Sequence, residues 1–140
     1  MKQLPRADNI AKVARYGTVV VLLHGLVSLV HEAAHKNLGV GLPPVKYAIA
    51  YAFVGVFPIV AMVMLWTRFR RAGVWLLLVS MAGALLFAGA HHFVLNNLDH
   101  IYQVPQGSWL PVFQITAGLM LILEAFACWL CFRLLARLKD

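Results

Sequence analysis

Acidic side chains are scarce in this chain. Five Asp and Glu stand against twelve Lys and Arg in 140 residues, and charged residues of either sign make up only 12%. A soluble domain carries about 25% charged and about 45–50% apolar residues. Here 62% are apolar and the mean hydropathy is +0.80. That excludes an ordinary soluble enzyme, and with so much to bury it excludes a disordered chain. Cysteine is nearly absent: Cys128 and Cys131 lie three apart inside one apolar run. On a helix they are neighbours on one side, so a bond between them would constrain little. A secreted disulfide framework is excluded. Period-two alternation is also missing, which rules out the strands of a membrane barrel.

The net charge of +7 would suit a nucleic-acid partner, but no stretch interleaves basic and aromatic residues as a nucleic-acid groove does. We expect no nucleic acid. The positive charge instead clusters at the ends of apolar runs.

Four such runs cover about Val13 to His35, Tyr47 to Trp66, Gly73 to Leu95 and Leu110 to Phe132. Each is close to the ~20 residues that cross a ~30 Å hydrocarbon core as a helix. In lipid every backbone group must be satisfied within the segment, so helices are the only reading. The first run does not read as a cleaved leader, because Ala33 and Ala34 have His31 and Glu32 at the −3 positions. The expected fold is all-α: one integral membrane domain over 1–140, a bundle of four transmembrane helices. Pro58, with Gly55 just before it, is expected to kink the second helix. Ser80, Ala84 and Ala88 form a small-residue stripe for close packing on the third.

Charge sets the expected direction. Lys2, Arg6, Lys12, Arg15, Arg68, Arg70, Arg71, Arg133, Arg137 and Lys139 fall on the side of the termini; only Lys36 and Lys46 fall on the other. The positive-inside rule then puts both termini in the cytoplasm, in a bacterial-type inner or plasma membrane. The lipid bilayer is the expected partner. A homo-oligomer or a place in a larger membrane complex would suit so small a chain.

The sharpest motif is His31-Glu32-Ala33-Ala34-His35. Histidines at i and i+4 on a helix lie one above the other, so both rings reach one metal ion. Glu32 between them is the candidate catalytic residue, a general base on metal-bound water. His91-His92 near the end of the third run offers a further ligand. Adjacent residues point about 100° apart, so one of the two serves a given site. With the first and third helices parallel, His31, Glu32, His35, His91, His92, Asp99 and His100 fall in one extracytoplasmic layer. Asn96, one turn beyond His92, and Asp99 are the candidate groups behind the ligands. Asp99 and His100 otherwise have the polarity of ordinary loop residues.

His24 shares the stripe of His31 and His35 within about 40° and lies ~16 Å deeper than His35. Glu124 lies ~21 Å in from the start of the fourth run. An ionisable residue at that depth is a functional candidate with a partner. His24 and Glu124 are expected to pair near the midplane as a relay.

The His-Glu-x-x-His segment resembles that of zinc metallopeptidases, including the intramembrane site-2 type. The resemblance implies a metal-dependent hydrolase with Glu32 as base. It covers five residues, and the Asp-Gly pair that supplies a third ligand in that family has no counterpart, since Asp99 is followed by His100. Glu32-x-x-His35 is also the spacing of di-iron carboxylate bundles, but only Asp99 adds a carboxylate at that level. Zinc is the first expectation and iron the second. The alternatives are a haem b-binding subunit ligated from the first and third helices, a metal or proton relay, and an accessory subunit of a larger complex.

Overall fold

The computed structural model describes residues 7–138. Lys2, Arg6 and Lys139, which enter the charge asymmetry, lie outside the described residues. The first span is α1 (Ala7–Leu38). The second is built of α2 (Pro44–Ala50), a π-helical segment (Tyr51–Val56) and α3 (Phe57–Leu65). The third is α4 (Arg70–Gly89) followed by a π-helical segment (Ala90–Val94). The fourth is α5 (Leu110–Arg137). All four are long and apolar enough to cross a membrane, and no strand occurs among the described residues.

The polarity is that of a protein dissolved in hydrocarbon. Leu26, Leu29, Leu86 and Ile122 are 61–75% exposed, whereas His24 is 1% and Glu124 0% exposed. Apolar side chains face outward because lipid costs them nothing, and polar ones turn inward where partners exist.

Each span packs against two neighbours in a ring: α1 on α5, α5 on α4, α4 on α3 and α3 on α1. The half nearest the termini is tight. Val13, Val21, Leu65, Leu77, Met81, Ala127 and Leu134 form its core. Glycines let the backbones close there. A Cβ on Gly73 would lie 2.9 Å from Met64 Cβ and 3.1 Å from the Ala61 carbonyl oxygen, and one on Gly17 would strike the Leu65 side chain; toward the middle of the bundle one on Gly83 would strike the Phe53 ring. Ser80, Ala84 and Ala88 are all buried.

The opposite, distal half is looser. Neither α2 nor the π segment after it contains a buried residue. A smaller cluster of Ala34, Leu38, Val40, Val104 and Phe113 closes that end beneath the loop from the third to the fourth span.

Pro58 is accommodated by a change of helical register. The Phe57 N–H bonds to the Ala52 carbonyl, five residues back. In that register the Phe53 carbonyl would face the N–H that proline lacks. The Ser80 hydroxyl donates to it instead, at 2.6 Å. A residue of the expected small stripe thus also repairs the neighbouring helix.

The glycine contacts give a matched test. Gly73→Ala should destabilise the bundle by about 1–3 kcal/mol through overpacking against α3. Gly118→Ala, whose Cβ meets nothing within 4 Å, should leave stability unchanged or slightly raised. Unfolding in mixed micelles by denaturing detergent reads the difference.

Candidate metal centre

α1 ends at Gly39, which takes φ +66°. The Val40 N–H returns to the His35 carbonyl at 3.0 Å and the Gly39 N–H to that of Lys36 at 3.3 Å. This pair of bonds is a Schellman cap, which needs a residue free to adopt positive φ. The cap also acts on the site, because the Val40 carbonyl then accepts from His35 Nδ1 at 3.3 Å.

The third span brings up the next ring. In its π segment the Leu95 N–H bonds to the Ala90 carbonyl, five residues back, at 2.7 Å. A wide turn of this kind rephases every following side chain and recurs at functional sites. His92 turns into the bundle, and its Nδ1 donates to the Asp99 carbonyl at 2.9 Å. The returning loop also fixes the backbone here, with the Ile101 N–H on the His92 carbonyl at 3.0 Å.

α5 supplies the last support. The Thr116 hydroxyl donates to the Val112 carbonyl at 2.6 Å, so its oxygen accepts from His31 Nδ1 at 2.8 Å. Phe113, fully buried, lies against all three rings, with centroids 4.7 Å from His31, 5.0 Å from His35 and 5.4 Å from His92.

These supports fix the protons. The Val40 and Asp99 carbonyls can only accept, and the Thr116 proton is directed at Val112, so each Nδ1 is placed to donate and, in a neutral ring, each Nε2 is left free to bind a metal. The three Nε2 atoms face one another. His31 Nε2 is 3.2 Å from His92 Nε2 and 3.2 Å from His35 Nε2. All three residues are buried, and their candidate ligand atoms lie within 4.8 Å of one another. Lone pairs at that separation repel. A single proton on His31 Nε2 relieves one contact, whereas a metal ion between the rings relieves all of them. Metal–nitrogen bonds of about 2.0–2.1 Å in tetrahedral geometry put the nitrogens about 3.3–3.4 Å apart. The two separations from His31 Nε2, 3.2 Å each, fit that spacing.

Asp99 is the nearest carboxylate, buried, with Oδ1 3.4 Å from His92 Nδ1 and 3.3 Å from His35 Nε2, a contact that needs a proton on that nitrogen or a cation beside it. Burial pushes its carboxyl up, but the His92 hydrogen bond and charge outweigh it and hold it below the usual carboxylate range. The Asn97 side-chain oxygen receives the Asp99 N–H at 2.8 Å and pins the loop.

The other candidates are placed as follows. His91 points away from the three rings: its Nδ1 bonds to the Phe87 carbonyl at 2.9 Å and its ring stacks on Phe87 at 4.2 Å. Glu32 pairs with Lys36 at 3.5 Å and lines a cavity beside the histidines. Asn96 is exposed and accepts from Gln103; of the two expected supports, Asp99 is the one that reaches His92. His100 stays in the loop, where its Nδ1 accepts the Tyr102 N–H at 3.3 Å. His24 Nε2 meets Glu124 Oε1 at 3.1 Å in the bundle interior. Cys128 is half-buried and Cys131 buried, both as free thiols.

No family model, no curated protein and no solved structure matches the chain.

The site contains supports the sequence did not announce. Val40 and Asp99 act through backbone carbonyls, which no residue type marks. Thr116 left one signal, a hydroxyl inside an apolar run. Its role is open to measurement. Thr116→Val leaves the His31 Nδ1–H buried without an acceptor and should cost about 1–3 kcal/mol in the same unfolding assay. Thr116→Ser, which keeps the hydroxyl, should recover most of that loss.

Proposed function

We propose that this is an integral membrane metalloprotein in which His31, His35 and His92 hold one divalent metal ion, zinc, with Asp99 behind them. The observation that carries the reading is the convergence of three Nε2 lone pairs, each ring locked by a separate acceptor. Nitrogen donors at tetrahedral spacing suit zinc; iron is second. Haem is disfavoured, since ring centroids 4.7–5.8 Å apart leave no gap for a macrocycle between them.

Three protein ligands leave a fourth position, the arrangement of catalytic rather than structural zinc. An ion held there would act as a Lewis acid on an oxygen donor at that position. Glu32 lines the cavity beside the histidines and is the group we assign as the base that would accept a proton there. The charge asymmetry supports a site on the extracytoplasmic side, with both termini in the cytoplasm.

A second reading, transport or relay, draws on the buried His24–Glu124 contact. His24 lies seven residues, about 10 Å, below His31 on α1. Zinc or proton flux into proteoliposomes that disappears in Glu124→Gln would favour it.

Metal analysis of detergent-purified protein tests the main reading. About one zinc per chain is expected, without a Soret band. His31→Ala, His35→Ala and His92→Ala should each lose the metal, whereas His91→Ala and His100→Ala should keep it. Stoichiometric zinc in the His31→Ala/His35→Ala double variant would overturn the assignment. Orientation has its own check: in sealed inside-out vesicles, protease should remove tags from both termini, and protection of either tag would reverse the topology.

A further inference from the structure

The cavity beside the three histidines measures about 320 Å³. It lies between α1 and the second span, where the outer half of that span has no buried residue. Its ionisable groups, His31, Glu32, His35, His92 and Asp99, gather at one end, with Ser28 and Tyr51 further along. Its far end is Val21, Val54, Pro58 and Ile59. Val21 lies fourteen residues below His35 on α1, about 21 Å along the helix. The space is therefore long, narrow and amphipathic. Its polar end sits at the level of the headgroups and its apolar end toward the bilayer centre.

Two glycines keep it open. Gly25 on α1 and Gly55 on the second span both line it, and a Cβ on either would meet no atom within 4 Å. Gly73 and Gly83 do the opposite work, letting helices touch. The rim residues Leu29, Tyr51 and Ile59 are 71, 56 and 55% exposed. They belong to membrane-spanning segments, so the mouth opens sideways into lipid.

We infer that the substrate is a single-chain amphiphile taken from the bilayer. Its hydrocarbon chain lies between α1 and the second span, and its oxygen-bearing head reaches the three-histidine centre. The inference rests on the metal reading for the head and on the cavity for the chain. The volume is at the small end for ligand pockets, with room for one chain and none for a two-chain phospholipid. Burial from lipid gains almost no hydrophobic energy, since the chain is already in hydrocarbon. Selection therefore falls to the head, where an oxygen donor completes the metal's coordination, and to the width of the slot.

A photoreactive hexadecanoate with a mid-chain diazirine tests this in phosphatidylcholine nanodiscs, with zinc measured on the same samples. Labelling should concentrate on 25–29 and 51–59. Unlabelled hexadecanoate should compete; acetate and further phosphatidylcholine should not. Gly25→Leu and Gly55→Leu should each cut labelling about tenfold, with zinc content and unfolding unchanged. Gly118→Leu, open but outside the cavity, should label as the parent does. Labelling spread over the outer faces around Phe126 and Trp129 would overturn the inference. So would labelling unchanged in both cavity variants while zinc is retained. A zinc-free parent that still labels on 25–29 and 51–59 would leave the chain site standing and overturn the metal reading alone.

Discussion

Three imidazole nitrogens with their lone pairs turned toward one point repel unless positive charge lies among them, and the distal half of the bundle is organised around that point. Each ring is held from behind by a different part of the chain. The helix stop at Gly39 presents the Val40 carbonyl, the returning loop presents the Asp99 carbonyl, and α5 presents the Thr116 hydroxyl. Phe113 sets the floor. Few of these groups could be replaced by solvent, because the rings are buried. That burial makes the arrangement informative: an unsatisfied polar atom inside the protein costs about 1–3 kcal/mol, so its placement has to be offset by something.

Much of this was legible in the sequence because the bilayer imposes a length and a polarity that a hydropathy pattern records directly. The four spans follow from that. His31 and His35 follow from a spacing of four on a helix. His24 and Glu124 share a layer by counting helical rise, and in the fold they touch at 3.1 Å. The choice between His91 and His92 was not legible. It turns on the π segment from Ala90 to Val94, and a pattern read at 3.6 residues per turn carries no mark of one extra residue. The π segment before Pro58 was not legible for a related reason: the helix absorbs the missing donor by widening. Of the two groups expected behind the ligands, Asp99 reaches His92 and Asn96 does not, because one-turn spacing fails once the helix ends and the chain reverses.

Glycine shows how one residue type serves two ends of the same molecule. In the half near the termini its lack of a Cβ brings backbones together, and the interface fills with the neighbour's side chain. In the distal half the same lack leaves volume. Composition alone cannot separate these uses; only the partner helix decides. The outcome is a bundle whose packing grades from close contact at one end to an open slot at the other, with the histidines where that slot meets the closed distal cap.

The second span is consequently held like a cantilever. α3 is clamped by Pro58, Ala61 and Leu65, all buried, while α2 projects beyond it with no buried anchor. The π segment from Tyr51 to Val56 lies at the root of the free arm. Deflecting such an arm breaks no core contact, so its excursions belong to the low-energy end of local motions. The load on it comes from outside. Lateral pressure and chain order in the surrounding leaflet press on Val45, Ile49 and Tyr51, all exposed. The width of the lateral opening thereby becomes a property shared between the protein and its lipid, and bilayers of different fluidity set it differently.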